Sequence, residues 1–332
     1  MPEPTAACPR CGAPRAGGTE CPRCGVIYAK ARPPAPRARA EAAPPPPLAP
    51  DSAPWRGELD DARLELALRA AVPPLALGVA WVLVSSPSGH ALARTFLSMW
   101  VHELGHAVAA WLCGLGAFPG PWRTPVSEGR LALVPLAVAA GLGAVIYRGR
   151  RQRRPALVAL GAAGLVAQAT ALALSPRGAA ALVTFAGDGG SLVLGTLLMA
   201  TIYARPESRL RRGALRWGLA GIGATSVVDA LDTWLRARAD AGRIPLGEIE
   251  GVGLSDASKL TEVYGWTFGQ LTGRYVALGA VCAAAIAAMY VAGIARARAD
   301  AAAAARPGDR YSQPPKKNPT PLPSTVATPP PE

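Results

Sequence analysis

The chain has 332 residues, of which 50% are hydrophobic and 17% charged, and its formal net charge is +13. Several apolar stretches reach the roughly 20 residues needed to cross a bilayer, which excludes a pair of ordinary soluble domains. The basic surplus does not mark a nucleic-acid binder, because many arginines sit in short clusters beside apolar stretches and the aromatic interleaving of single-strand binders is missing.

The fold class expected is an all-α polytopic membrane protein, with about six or seven transmembrane helices, behind a small N-terminal four-cysteine zinc ribbon. Residues 1–30 hold the ribbon. Cys8-Pro-Arg-Cys11 and Cys21-Pro-Arg-Cys24 are two paired-thiolate knuckles close together, the pattern of a closed tetrahedral zinc site. Four ligands fill the shell, so this zinc is structural, and in a module with almost no core it supplies most of the folding free energy. The two other cysteines, Cys113 and Cys282, are isolated in apolar segments, so the set is not a disulfide framework. The polar, Pro-rich opening does not read as a cleavable signal peptide.

Residues 31–54, rich in Pro and Ala, read as an extended linker. Trp55 to Arg69 reads as a short helix at the membrane surface. Within a membrane-embedded region of residues 55–298, spans are expected at about 70–86, 95–115, 131–147, 156–174, 180–203, 214–235 and 275–295. Gly116 to Arg130 reads as an irregular or hairpin loop. Arg148, Arg150, Arg151, Arg153 and Arg154 follow the third span, and Arg205, Arg209, Arg211, Arg212 and Arg216 follow the fifth; both clusters belong on the cytoplasmic side. Seven spans would then put the thiolate ribbon outside, where it does not belong. A cytoplasmic ribbon requires either that the proline-broken segment 70–86 does not cross fully or that one apolar run near the His pair is re-entrant. Residues 299–332, Ala-rich and then Pro-rich, are expected to be disordered.

The second apolar stretch carries His102-Glu103-Leu104-Gly105-His106-Ala107. On a helix His102 and His106 share one face, one turn apart, so two neutral imidazoles can bind one zinc while Glu103 takes a proton from water. These are two of only three histidines in the chain. His90, the third, lies about 18 Å further back along a continuous helix and beside Pro87 and Gly89, too far to ligate. A third ligand must then be a buried carboxylate. Asp188, in Gly187-Asp188-Gly189-Gly190, is one candidate, because flanking glycines permit close backbone approach; Asp229 and Asp232, three apart near the outer end of the sixth span, are the others.

A membrane-embedded His-Glu-Leu-Gly-His-Ala helix followed much later by a buried Asp-Gly-Gly resembles the site-2 protease family of intramembrane zinc metalloproteases, over roughly residues 90–205. The resemblance implies zinc ligands His102, His106 and Asp188, Glu103 as general base, and ligand-bearing helices that run parallel, whereas two full spans between the second and the fifth make those two antiparallel unless a re-entrant segment intervenes. It implies an endopeptidase that cuts a transmembrane segment of a membrane-protein substrate, with one catalytic and one structural zinc, in a bacterial inner (cell) membrane. The alternative is a non-proteolytic membrane scaffold or sensor whose zinc ribbon recruits a cytoplasmic protein partner; Glu103, which a purely structural site does not need, argues against it.

Overall fold

The computed structural model describes residues 7–15, 17–30, 56–204, 208, 210, 215–249 and 253–305. The linker 31–54, the chain beyond Ala305, and Arg205, Arg209, Arg211 and Arg212 of the second arginine cluster lie outside the described residues. The chain divides into two compact units, Met1–Ser52 and Ala53–Glu332.

The small unit repeats one device twice. The amide of Gly12 donates to Cys8 O and that of Gly25 to Cys21 O, each at 2.9 Å. Both glycines adopt φ near +70°, where a Cβ would meet the backbone and only glycine sits without strain. Isolated bridges pair Ala7 with Pro14 and Glu20 with Ile27, so each knuckle closes on its own short ladder.

The large unit is helical. In chain order it comprises α1 (Arg56–Ser85), α2 (Pro87–Ala93), a π turn (Arg94–Ser98), α3 (Met99–Leu112), a hairpin of β1 (Leu115–Ala117) and β2 (Val126–Arg130), then α4 (Leu133–Arg151), α5 (Pro155–Leu172), α6 (Pro176–Ala200) and α7 (Leu215–Ala239). A second hairpin, β3 (Glu248–Ile249) and β4 (Gly253–Leu254), leads into the short α8 (Asp256–Ser258), a second π turn (Lys259–Val263) and α9 (Phe268–Ala304). Among the described residues five helical segments are long and apolar enough to cross a membrane: Asp61–Ser85, Leu133–Arg151, Pro155–Leu172, Pro176–Tyr203 and Phe268–Ala304. Large apolar side chains such as Trp81, Phe96, Leu136, Val166 and Val281 are exposed on the outside, as expected of helices that face lipid. This is an integral membrane protein. α9 is helical through the alanines to Ala304, so residues 299–304 are helical, against expectation.

Several elements begin where local chemistry starts a helix. Pro87 follows the N-cap Ser86, and Pro176 follows the N-cap Ser175; proline's fixed φ suits the first turn and its missing N–H would be unpaired there anyway. Thr267 and Gln270 form a reciprocal capping box at the start of α9. α1 is not broken by Pro73 and Pro74, against expectation. Pro74 cannot bond the carbonyl of Ala70, but the Tyr290 hydroxyl on α9 donates to that oxygen at 3.0 Å, and a neighbouring helix thus satisfies the carbonyl the proline frees.

The expected spans 70–86 and 95–115 together make one passage through the bundle, not two. Along the chain from Glu65 to Cys113, neighbours on α7 advance from Arg216 through Ala224 to Asp229. Neighbours on α6 recede meanwhile from Met199 through Asp188 and Val183 to Ala179. α1 and α3 therefore run in series toward the same end, joined by the short α2. With α4, α5, α6, α7 and α9, the described residues make six passages, not seven. The start of α1 then lies at the end of the bundle where α7 begins and α9 finishes, near Arg216, Tyr290 and Tyr203.

Candidate metal centre

α3 and α6 cross backbone to backbone. A Cβ on Gly105 would run into the carbonyl of Ala186 and lie 2.8 Å from Cα of Gly190, and one on Gly190 would strike Gly105. The small residues allow contact that any side chain would prevent, and they bring the imidazoles of α3 against α6. The two helices run antiparallel, not parallel: His102 meets Asp188, His106 meets Val183, and Cys113 packs near Ala179.

Each imidazole is oriented through Nδ1. His102 donates from Nδ1 to Asp188 Oδ1 at 2.9 Å, and His106 donates from Nδ1 to the carbonyl of Val183 at 2.7 Å. With the proton on Nδ1, each ring presents a lone pair at Nε2, the arrangement typical of metal-bound histidine. The two Nε2 atoms are 3.2 Å apart. Oδ2 of Asp256 lies 3.2 Å from Nε2 of His102 and 3.1 Å from Nε2 of His106.

Asp256 reaches the site from the loop after α7. Ser255 caps the short helix on which it sits, accepting from Ser258 N. Ala257 and Leu260 are buried with Trp234, Ile244, Leu271 and Tyr275 in the largest apolar cluster of the helical unit, and this anchors the loop.

Three lone-pair donors thus converge in a buried triangle with edges of 3.1 to 3.2 Å. Such convergence is favourable only around positive charge. Bonds of about 2.0–2.1 Å in a tetrahedral shell separate donors by about 3.3 Å, so the triangle fits one metal ion with a fourth position free. It faces a cavity of about 910 Å³ walled by α3, α6, both hairpins and the Asp256 loop. Glu103 lines the same cavity, and the Thr124 hydroxyl, on the β1–β2 connection, approaches Glu103 Oε2 at 2.7 Å and its carbonyl at 2.9 Å.

The structure brings His102, Glu103 and His106 together as their spacing implies, but not the expected third ligand. Asp188 sits behind His102, on Nδ1, and its other oxygen accepts from Trp234 Nε1 at 2.9 Å. Because α6 runs antiparallel to α3, its acid meets the outer nitrogen of the imidazole, and the inner position falls to Asp256. Asp229 binds Ser98, Arg94 and His90, and Asp232 pairs with Arg236 at 2.7 Å; neither reaches the triangle. His90, within α2, is therefore engaged with Asp229 at 2.8 Å. Asp256, Arg94 and Thr124 are site residues that sequence reasoning missed. Arg94 and Ser98 stand eight and four residues before His102, and an arginine inside an apolar run was a legible signal.

In the small unit, Cys8, Cys11, Cys21 and Cys24 have their sulfurs within 4.8 Å of one another. Cys8 Sγ is 3.7 Å from Cys24 Sγ, and Cys11 Sγ is 3.7 Å from Cys21 Sγ. Those distances exceed any disulfide and match the roughly 3.8 Å between thiolates on a tetrahedral ion with bonds of about 2.3 Å. Compared with protein-family models, curated proteins and solved structures, the chain matches none.

Proposed function

We propose that the chain is an intramembrane zinc metalloendopeptidase that hydrolyses peptide bonds in or near transmembrane segments of membrane-protein substrates. The observation that carries this reading is the triangle of His102 Nε2, His106 Nε2 and Asp256 Oδ2, next to Glu103, in one cavity of a helical membrane protein. The reading keeps the resemblance to the site-2 protease family in the His-Glu-Leu-Gly-His-Ala helix and replaces its third ligand.

Bound at the triangle, zinc supplies Lewis acidity, polarising a peptide carbonyl and making water more acidic. Glu103 accepts the proton of the attacking water and passes it to the departing amine. The Thr124 hydroxyl holds the carboxylate of Glu103 in place. Asp188 and Val183 keep the imidazoles turned so that Nε2 faces the cavity. β2 is an edge strand on the cavity wall, suited to hold a locally unwound substrate by strand pairing. In the same reading the four cysteines hold a structural zinc, and their module offers a surface to a protein partner.

The test is Glu103→Gln in the purified chain, assayed on candidate membrane substrates. An amide keeps shape and polarity but cannot accept a proton, so cleavage should fall by about 10²–10⁴-fold with zinc content unchanged. Full activity in Glu103→Gln would sink the proposal.

A further inference from the structure

We propose that Arg94 is a positioning residue of the metal centre: held between Asp229 and Asp188, it fixes the carboxylate of Asp188 on Nδ1 of His102 and keeps that ring's Nε2 in the donor triangle. The inference rests on the reading of His102, His106 and Asp256 as a metal site.

The two histidines are oriented by unlike partners. His106 bonds a helix carbonyl, Val183 O, which the backbone holds in place. His102 bonds a side-chain carboxylate that can rotate about two torsions. Two groups restrain that carboxylate. Trp234 donates to Oδ2 at 2.9 Å, while Nη1 and Nη2 of Arg94 both lie 3.4 Å from Oδ1. At that length the arginine acts mainly as a near charge, and Oδ1 stays free for the shorter bond to His102.

Arg94 is itself fixed from the other side. Its Nη1 donates to Asp229 Oδ2 at 3.1 Å. Asp229 is almost wholly buried and also accepts from the Ser98 hydroxyl at 2.5 Å and from His90 Nε2 at 2.8 Å. The chain His90–Asp229–Arg94–Asp188–His102 therefore runs unbroken from α2 to the triangle. Helix adhesion alone does not call for it, because apolar side chains of similar volume usually serve as well as a buried ion pair.

The π turn makes this reach possible. Arg94, Ser98, His102 and His106 are spaced by four, and in a regular helix each such step overshoots a full turn by about 40°, so the stripe would drift away. The wider π turn over Arg94–Ser98 undershoots instead. It brings Arg94 and Ser98 back toward the face that carries the histidines.

The experiment uses the full-length chain with Cys11→Ser and Cys24→Ser, so that one metal site remains, and titrates cobalt(II) by its visible d–d spectrum. Arg94→Gln should weaken binding by about 10–100-fold, the usual effect of losing an orienting partner, and alter the spectrum. Arg94→Lys keeps the charge without the planar fork and should restore binding in part. In an Asp188→Asn background, Arg94→Gln should add less than about twofold, because its effect passes through that carboxylate. Wild-type binding in Arg94→Gln, or an equal loss in both backgrounds, overturns the inference. If Arg94→Gln does not fold, Arg94→Lys runs through the same cycle with the same criteria. Failure of the parent chain to bind cobalt, or unchanged binding after Asp256→Ala, overturns the metal-site reading and the inference with it. Loss in Asp256→Ala with no effect of Arg94→Lys or Arg94→Gln overturns the inference alone.

Discussion

The four-cysteine cluster and the His-His-Asp group are both sets of donors spaced for one metal ion, yet they are built in opposite ways. All four sulfurs come from one short stretch, Cys8 to Cys24, and two copies of one backbone turn place them. The donors of the other group come from α3 and from a loop more than a hundred residues later, and an apolar cluster and a helix crossing place those. The first group closes its shell with four protein ligands. The second has three and opens onto a cavity. Local assembly makes a site that folds when metal binds; assembly by tertiary packing makes one that is built before metal arrives and can keep a position free for chemistry.

The largest effect should fall on the local site. Cys8→Ser removes a ligand from a module without a core of its own, so that module should lose its zinc and its fold completely. Metal analysis of the full chain should fall from two zincs to one, with the remaining zinc held as tightly as before. Loss of both would break the contrast, since it would mean that the two groups are not assembled independently.

Asp256→Ala comes next. Loss of a donor from the triangle should cost more than the roughly 100-fold upper range for an orienting partner, whereas Asp188→Ala should stay within about 10–100-fold. Competition with a chelator distinguishes them. The reverse order would restore Asp188 as the ligand.

The same contrast explains what was legible beforehand. Cysteine spacing and the His102–Glu103–His106 spacing are local facts, and a helix or a turn converts them directly into geometry. The helices at 70–86, 131–147, 156–174, 180–203 and 275–295 were equally legible from their apolar length, as was a hairpin between Gly116 and Arg130, realised as β1–β2. Asp256 was not, because it stands in a polar loop among other acids and nothing near it marks a ligand. Asp188 was visible as a buried acid, but which imidazole nitrogen it meets depends on the relative direction of α3 and α6. That direction is set by the two passages, α4 and α5, that lie between α3 and α6.

Glycines beside the two groups give a smaller and sharper comparison. A Cβ at Gly187 would lie 2.5 Å from Cε1 of His102 and 2.7 Å from Nε2 of His106. Gly187→Ala should therefore destabilise the helical unit by about 1–3 kcal/mol through overpacking and weaken its metal binding. Gly12 has nothing within 4 Å of such a Cβ but adopts φ +70°. Gly12→Ala should cost only about 1–2 kcal/mol of backbone strain, with no clash. Thermal unfolding and metal titration of the two variants separate a site limited by space from one limited by conformation.

The smallest effect tests a bond that only the assembled helices supply. Tyr290 donates to Ala70 O from 220 positions away, and that oxygen lacks its helical partner because Pro74 has no N–H. Tyr290→Phe removes the donor and keeps the ring, so unfolding in mixed micelles should report a loss of about 1 kcal/mol. The diagnostic is the background. Pro74→Ala returns an N–H to position 74, and the carbonyl of Ala70 then regains its partner within α1. In that background Tyr290→Phe should cost close to nothing. If the loss is the same with and without Pro74, the hydroxyl is not compensating for the proline, and the continuity of α1 through Pro73 and Pro74 owes nothing to α9.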